Sequence, residues 1–374
     1  MTPLRLSLAT IAAGILVISI VSHAARTVGA VATVPSVGTV RSSAPMLDAR
    51  SGHSATLLPD GTVLIAGGMR RNQDFYRTAE IFDPASNQFH RVGDMSLARV
   101  GPAAVLLPSG KVLIVGGWVG RDTTDEVEEY NPATKKFAVA GKMTTKRARP
   151  SVTLLGNGDV LIAGGGESNG PSGVATAELY HPATQTFEAL PSMHDGRLSH
   201  TATLLNDGRV LIVGGRGTKV NVGAEIYDPR TKKFVSTGNL NVERYKHTAA
   251  LLPDGRVLVA GGSDARDWNG TTSSAEIYDP RTGKFTTTSS LSEARFKLPD
   301  EAAVLSSGLI LVAGGGKHAE LFDEKTGSFS LAGGELGDAW HYMSETRLRD
   351  GRVLMAGGYA NDDRATAQTW IYVP

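Results

Sequence analysis

Three histidines hold equivalent places in the sequence and are the first side chains to consider for chemistry. His53, His200 and His247 each lie fourteen residues before a Gly-Gly pair. Neutral imidazoles that face one channel could bind a metal ion. The same count at the other four Gly-Gly pairs gives Pro102, Pro150, Asp300 and Met343. Because a ring of seven such units would put His53 across the channel from His200 and His247, we predict no metal and treat His200 and His247 as candidate ligand-binding residues.

An arginine and a glutamate also recur, and their chemistry has two interpretations. The arginines are Arg50, Arg99, Arg147, Arg197, Arg244 and Arg295. The glutamates are Glu80, Glu128, Glu178, Glu225, Glu276 and Glu320, each two residues before an aromatic residue. A guanidinium fork matches a carboxylate in bidentate fashion, so we predict structural Glu–Arg pairs. The alternative is that these arginines face a ligand.

Basic residues that do not recur favour a ligand role more directly. Lys142, Lys146, Arg147 and Arg149 place four cations within eight residues, and Lys246 and Lys297 occur in later copies of the same segment. We expect Lys146, Arg147, Arg149, Arg197, Arg244 and Lys246 to form one basic sector that prefers an anionic ligand, with His200 and His247 at its inner edge. The alternative is a solvated loop.

Four aromatic residues complete the set of candidate ligand-binding side chains. Trp118 and Trp268 lie outside the repeated positions, and Trp340 and His341 adjoin Tyr342 in an atypical segment. Exposed aromatic rings can stack on sugars or anchor a protein partner. The alternative is that they shield a loop.

The elements that must position these residues form seven copies of one unit. Gly-Gly pairs begin at residues 67, 116, 164, 214, 261, 314 and 357. Each follows a pattern such as TLLPDGTVLIAGG, which predicts two strands joined by a tight turn. A third strand then ends in an aromatic residue, and a fourth opens at another aromatic, as with Phe82 and Phe89. Four short strands per unit, repeated seven times, predict an all-β, seven-bladed β-propeller with four-stranded antiparallel blades.

The Gly-Gly pairs, the paired aromatics and a period of about 50 residues resemble the kelch repeat. The resemblance covers residues 36–374, with Phe where that family usually has Trp on the fourth strand. It implies that histidine before the first strand is ordinary. The bacterial exported type resembles the propeller of galactose oxidase, whose copper-radical cofactor requires a cysteine cross-linked to a tyrosine. This chain has no Cys, so we expect neither that activity nor another cofactor.

The last unit stops after its third strand, so the ring must be closed from the other end. We predict that residues 37–41 pair with residues 369–373 and that Val40 takes the aromatic position. In such a blade the short, repetitive turns lie on one face. The variable loops after the Gly-Gly pairs share the other face with the linkers that carry the repeated arginines. Binding sites favour variable loops on a rigid scaffold, so we place the site there.

The N-terminus resembles an export signal. Residues 8–22 are almost wholly apolar, and Ser22-His23-Ala24 follows with small residues at the cleavage positions. We therefore predict a signal peptide over residues 1–24, a spacer over 25–35 and the propeller over 36–374. The predicted location is periplasmic or extracellular. The alternative is a membrane anchor over residues 6–22, which is the only membrane contact expected.

Charge and composition narrow the function. With 38 Lys+Arg against 37 Asp+Glu, no footprint for nucleic acid is present. We predict a monomeric binding module whose ligand is a carbohydrate or a protein. The alternative is an enzyme that isomerises, epimerises or cleaves an acidic sugar. Convergent Arg, His and acidic groups with perturbed pKa values would favour the enzyme, and a flat aromatic patch would favour a partner.

Overall fold

The computed structural model describes residues 38–167, 172–360 and 363–374. Within these ranges the chain forms seven four-stranded antiparallel sheets, and the innermost strands neighbour one another in a closed ring. The all-β, seven-bladed propeller is therefore confirmed. The predicted signal peptide and spacer lie outside the described residues. Among the described residues, no helix has the length and hydropathy to cross a membrane.

The strands of the first four blades follow in chain order from the channel outwards. Blade 1 consists of Ser54–Leu57, Val63–Ala66, Ala79–Asp83 and Gln88–Arg91. Blade 2 consists of Ala103–Leu106, Val112–Val115, Glu126–Asn131 and Lys136–Lys142. Blade 3 consists of Ser151–Leu154, Val160–Ala163, Ala177–His181 and Thr186–Ala189. Blade 4 consists of Thr201–Leu204, Val210–Val213, Gly223–Asp228 and Lys233–Asn239.

The remaining blades keep this order, and the variable loops add small elements. Blade 5 consists of Thr248–Leu251, Val257–Ala260, Ala275–Asp279 and Lys284–Thr287. Blade 6 consists of Ala303–Val304, Ile310–Val312, Glu320–Asp323 and Ser328–Leu331. Blade 7 consists of Ser344–Arg347, Val353–Ala356, Thr369–Val373 and Thr39–Ser42. The loops carry hairpins Met69–Arg71 with Asp74–Phe75 and Trp118–Val119 with Asp122–Thr123, and the 3₁₀ helix Asp267–Gly270.

Burial explains why the repeated pattern forms blades. The second strand of every blade is buried along its whole length, because both of its faces pack against neighbouring blades. The paired aromatics meet across the third and fourth strands, with ring centroids 4.9 to 5.0 Å apart in blades 1 to 6. In the seventh blade Val40 pairs with Tyr372 instead.

The N-terminal strand closes the ring. Thr39 pairs with Val373, and Ser42 pairs with Trp370. The other side of this strand is bound as well, because the Val40 amide donates to the Gly333 carbonyl at 2.7 Å. The predicted closure is therefore confirmed, and it leaves no open edge between the first and last blades.

Blade 6 departs from the repeat and corrects one prediction. The repeated arginine lies 17 residues before the first glycine of the pair in blades 1 to 5, but Arg295 lies 19 before Gly314. Leu298 therefore takes the place of the histidines, and the prediction that Asp300 is equivalent to them was wrong. The two extra residues shorten this strand to Ala303–Val304 and bring Asp300 and Glu301 into the channel lining.

Candidate functional site

The repeated arginines and glutamates form ion pairs in six blades. The N···O distances run from 2.5 to 3.0 Å, and both partners are buried in every pair. Each guanidinium also donates to the carbonyl of the first glycine of its own blade, as Arg147 does to Gly164 at 2.7 Å. The arginine carbonyl accepts from the glycine pair of the preceding blade, as Arg147 does from Gly117 at 3.0 Å. The predicted pairs are thus present, and they join neighbouring blades.

These pairs correct part of the expected basic sector. The side chains of Arg147, Arg197 and Arg244 are no more than 1% exposed. Because a buried guanidinium that is already paired offers nothing to a ligand, we leave these three out of the candidate site.

The seventh linker replaces the ion pair with two tryptophans. Trp340 and Trp370 take the positions of the arginine and the glutamate, and their ring centroids lie 5.7 Å apart. The Trp340 indole N–H donates to the Leu336 carbonyl at 2.9 Å. Trp340 therefore packs between blades, where the other linkers place an arginine.

The three histidines also connect blades. The Nε2 atoms of His53, His200 and His247 lie 2.9 to 3.0 Å from hydroxyl oxygens at the start of the preceding blade, those of Ser344, Ser151 and Thr201. Burial, together with nearby arginines, lowers the pKa of His53 and of His200 to about 3 and that of His247 well below its ordinary value. These imidazoles are neutral, and each is bound within a different blade contact.

A ring of left-handed backbone surrounds the channel mouth on the linker face. It consists of the residues two positions after each repeated arginine or Trp340, with φ between 49° and 63°: Gly52, Gly101, Arg149, Ser199, Lys246, Lys297 and Tyr342. Backbone hydrogen bonds run from linker to linker, as from Arg149 N to Gly101 O at 3.0 Å and from Tyr342 N to Lys297 O at 2.7 Å. Left-handed backbone is unfavourable for bulky side chains and concentrates at functional sites. We call these seven residues the mouth ring.

Arg149 is the cation that the mouth ring presents to the channel. Its guanidinium carbon lies 3.6 Å from the centroid of the Tyr342 ring. A Cβ on Gly101 would lie 2.9 Å from Arg149 Cγ and 3.1 Å from the Trp118 ring, so the missing side chain at Gly101 makes room for both. Among the described residues, no carboxylate lies within 4 Å of the Arg149 guanidinium. It borders a cavity of about 270 Å³ on the channel axis.

Three acidic residues line the same cavity from the side of blades 6 and 7. Asp300 and Glu301 are exposed to the channel, yet the channel walls surround them and desolvation raises the pKa of both carboxyl groups. Glu345 accepts from the Ala303 and Ala313 amides at 2.8 and 3.1 Å. Burial raises the pKa of Glu345 to about 8.

An aromatic cluster lies beside the mouth ring at blades 5 to 7. Lys297 Nζ lies 2.7 Å from the Tyr359 hydroxyl and 3.7 Å from the centroid of the Trp268 ring. Trp268 and the buried His341 pack edge to face, with centroids 4.8 Å apart. Trp268 and His341 thus belong to one cluster, separate from Trp340.

The two lysines of the expected basic sector have acidic partners. Lys146 Nζ lies 3.1 Å from Asp122, and Lys246 Nζ lies 2.9 Å from Asp267. Sequence reasoning missed Glu301, Glu345 and Tyr359. Two counts along the sequence were available as signals. Counting two residues on from each repeated arginine gives the positions of the mouth ring. The distance from Arg295 to the sixth Gly-Gly pair is 19 residues instead of 17, which reveals the insertion.

Comparison with known proteins supports the repeat and the fold. Residues 49–96, 99–144 and 244–292 match the Kelch motif, so the kelch resemblance is confirmed in these three repeats. A fungal alcohol oxidase of the AA5 family, solved in complex with copper, superposes with a TM-score of 0.71 at 16% identity, covering 90% of this chain and 76% of that one. No curated protein matches the sequence significantly. At this identity the likeness shows the fold alone, and a kelch propeller is a general module for binding proteins or ligands.

The side chains present do not fit the copper cofactor of that enzyme class. The sequence has no Cys. Within the described ranges, no group of three or more His, Cys, Asp or Glu residues is arranged to hold a metal ion.

Proposed function

We propose that this protein binds a carbohydrate that carries a carboxylate, at the channel mouth on the linker face. The observation that carries the proposal is Arg149, whose guanidinium is stacked on Tyr342 beside the cavity and has no acidic partner among the described residues. Stacking on a ring fixes the plane of the guanidinium and leaves its N–H groups free to bind a carboxylate in bidentate fashion.

The surroundings of Arg149 favour a sugar over a protein segment. The cavity of about 270 Å³ continues into a channel section of about 640 Å³. It combines aromatic surface from Tyr342 with hydrogen-bonding groups from Asp300, Ser151 and Ser344. Aromatic rings stack on the apolar faces of sugars, and carboxyl groups bind their hydroxyls.

The test is calorimetric titration of the mature protein with uronate oligosaccharides and sialyllactose, with lactose as the neutral comparison. We expect binding of an acidic glycan that weakens as salt rises and falls at least about tenfold in Arg149→Ala, since charged hydrogen bonds contribute about 1.5–3 kcal/mol. Arg121→Ala, an exposed arginine on the variable loop of blade 2, should leave binding unchanged. Equal binding by Arg149→Ala, or binding only of carboxylate-bearing peptides, would contradict the proposal.

A second candidate is an enzyme that acts on the same class of ligand, and the acidic residues favour it. Asp300 and Glu301 have raised pKa values in the cavity where Arg149 would hold the carboxylate. In its carboxylate form such a group is a stronger base than usual, and it could take the proton next to a uronate carboxylate, the step shared by epimerases and lyases. An Asp300→Asn, Glu301→Gln variant should then bind the glycan but lose turnover, measured by proton exchange and by ultraviolet absorbance of an unsaturated product. If the wild-type protein converts none of the glycans that it binds, the enzyme is contradicted and the binding function remains.

We also propose export to the periplasm or the extracellular space, on the basis of the apolar segment in residues 8–22. Mass spectrometry of the protein from a bacterial host should show a chain beginning at Ala25. A chain that keeps residues 1–24 and sediments with membranes would favour the anchor instead.

A further inference from the structure

Opposite charges border the cavity at the channel mouth without touching one another. Arg149 lines it from the linker before blade 3, and Asp300 and Glu301 line it from blade 6. Within the described ranges, no carboxylate oxygen lies within 4.0 Å of the Arg149 guanidinium, and neither acidic side chain has a hydrogen-bond or ion-pair partner. The walls of this cavity therefore carry an unpaired cation and two unpaired carboxyl groups.

Arg149 would lose its own contacts if it turned towards the carboxyl groups. Its guanidinium carbon lies 3.6 Å from the centroid of the Tyr342 ring. Its backbone has a φ of 49°, and its amide donates to the Gly101 carbonyl at 3.0 Å. A Cβ on Gly52 would lie 3.5 Å from one terminal nitrogen of the guanidinium. The side chain thus runs along the mouth ring, past Gly101 and Gly52, and its charge is held at Tyr342.

The segment that carries the two carboxyl groups is fixed by backbone contacts with blade 5. The Ala249 amide donates to the Asp300 carbonyl at 3.3 Å, and the Ala302 amide donates to the Ala249 carbonyl at 3.0 Å. Glu301 lies between Asp300 and Ala302 and bridges to Ala249. Both acidic side chains are exposed to the channel, so they face the space that a ligand would fill.

The positive and negative groups lie at different depths in the channel. Arg149 and Tyr342 line the cavity of about 270 Å³ at the mouth but not the channel section of about 640 Å³ that continues from it. Asp300 and Glu301 line both. A ligand that reaches both kinds of group must therefore carry two opposite charges on different parts of its framework.

Among the described residues, the protein supplies no cation that pairs with these carboxyl groups. His53 and His200 line the cavity, but burial, together with nearby arginines, lowers the pKa of each to about 3, so both are neutral. Arg347 lines the deeper section, where its guanidinium donates to the Ser306 hydroxyl at 2.7 Å. Because a desolvated carboxylate without a partner is unfavourable, a cationic group on a ligand would stabilise this part of the channel.

We propose that the acidic sugar bound at the channel mouth also carries a free amine, whose ammonium group binds Asp300 or Glu301 while its carboxylate binds Arg149. An ammonium group donates up to three hydrogen bonds, and ionised carboxylates accept them. Hydrogen bonds between charged groups are the strong ones, and pairs within a channel are screened less by salt than pairs at the surface. This inference rests on the proposed function for the carboxylate of the ligand, and it narrows the ligand class to acidic amino sugars.

The test compares muramic acid, which carries a carboxylate and a free amine, with N-acetylmuramic acid, in which the amine is an uncharged amide. Calorimetric titration of the mature protein at pH 7 should give at least about tenfold tighter binding of muramic acid, because the amide lacks the charged hydrogen bonds. Glucosamine has the amine without the carboxylate, and 4-aminobutyrate has both charges without a sugar ring. Each should bind more weakly than muramic acid.

An isosteric double variant separates the charge of the amine from the bulk of the acetyl group. Asp300→Asn, Glu301→Gln should bind the two muramic acids about equally and should keep the wild-type affinity for N-acetylmuramic acid. Glu335→Gln is the matched control, because this side chain in the linker after blade 6 is 67% exposed. It should keep the full preference for muramic acid.

Four results would overturn the inference. They are wild-type binding of N-acetylmuramic acid that equals or exceeds that of muramic acid, a preference that persists in the double variant, 4-aminobutyrate bound as tightly as muramic acid, and no binding of muramic acid at millimolar concentration.

Arg149→Ala tests the proposed function separately, and it should weaken the binding of both muramic acids in the same proportion. If both acids need Arg149 but bind equally well to the wild type, the proposed function stands and the amine is refuted. If Arg149→Ala binds both acids as tightly as the wild type, the proposed function itself is refuted.

Discussion

At the scale of single residues, six buried arginines connect the linkers to the blades. Arg244 is fully buried and lies 3.0 Å from Glu276. Arg244→Ala would leave the carboxylate buried without its charge partner, so we expect a loss of about 3–5 kcal/mol in the free energy of unfolding. Arg256→Ala is the matched control, since Arg256 pairs with Asp254 at the surface and surface pairs contribute about 0–1 kcal/mol. If urea titrations give equal losses of unfolding free energy for the two variants, the buried pair contributes no more to stability than the surface pair.

A second prediction at this scale concerns His200 and acid. The pKa of His200 is about 3 in the folded protein and about 6.5 in the unfolded chain. Between these values the unfolded state binds one more proton, so the stability contributed by neutral His200 is complete above pH 6.5 and falls as the pH decreases. The loss from pH 7 to pH 5 should be about 2 kcal/mol for this residue.

The variant that checks this prediction copies a residue from blade 6. His200→Leu places leucine where Leu298 stands in that blade, and the Ser151 hydroxyl keeps its contact with the Ala163 carbonyl at 3.3 Å. Urea titrations at pH 7 and pH 5 should show that the variant loses about 2 kcal/mol less than the wild type over this interval. An identical loss in both proteins would mean that His200 is not the group that titrates.

The sequence allowed the ion pairs to be predicted, and it named Arg149 as a candidate ligand-binding residue, but it could not separate Arg149 from Arg147. Arginine and glutamate recur at fixed places in six units, and a recurring pair of opposite charges is explained by packing alone. Arg147 and Arg149 are two residues apart and look alike in the sequence. Only the left-handed backbone at Arg149 turns its side chain to the channel mouth, while Arg147 points into the blade contact. That difference is conformational and has no signature in residue type.

At the scale of elements, blade 6 shows how an insertion creates a special surface. In the other blades the first residue of the innermost strand pairs with the last residue of the second strand, as Ser54 does with Ala66. In blade 6 this position is Glu301, which bridges to Ala249 of blade 5 instead. The Ala303 and Ala313 amides then bind the Glu345 carboxylate. Glu345 thus replaces the backbone partner that the insertion removed.

This arrangement predicts a conditional effect of Glu345→Ala. In the wild type the change leaves two backbone amides without partners, and we expect a loss of roughly 2–4 kcal/mol. In a chain that lacks Pro299 and Asp300, the pairing of Glu301 with Ala313 should be restored, and the same substitution should cost about 1 kcal/mol or less. Thermal and urea unfolding of the four proteins measures the difference. Equal costs in the two backgrounds would show that Glu345 does not compensate for the insertion.

The strand pattern could be predicted because it repeats, and the exceptions could not. Counting back from Gly314 assumed a constant length between linker and Gly-Gly pair, and two extra residues in blade 6 broke that assumption. The blade 7 linker keeps the spacing of the other linkers, with Leu336 four residues before Trp340. The equivalence is hard to recognise in the sequence because tryptophan replaces the repeated arginine. Trp370 makes the exchange consistent, because an apolar pair can replace a buried ion pair without loss of stability.

At the scale of the whole molecule, stability depends on one strand that closes the ring. Thr39–Ser42 is the outermost strand of blade 7, and it binds both Thr369–Val373 and the Gly333 backbone. Val40 is 4% exposed and packs in the core cluster that includes Trp370 and Tyr372. Because each blade contacts only its two neighbours, an incomplete blade 7 weakens the contacts on both sides of it.

Deletion of residues 25–45 should therefore destabilise the entire propeller. The loss of Val40 burial alone amounts to roughly 1.5–3 kcal/mol, and the unpaired edge of Thr369–Val373 adds lost hydrogen bonds and a site for association. We expect a lower midpoint of thermal unfolding, and faster amide exchange that starts in blade 7 and spreads to blades 1 and 6. Deletion of residues 25–35, the predicted spacer, is the control and should leave both measurements unchanged. If the longer deletion unfolds at the same temperature as the control, the terminal strand does not hold the ring together, and closure must come from the contacts of the innermost strands.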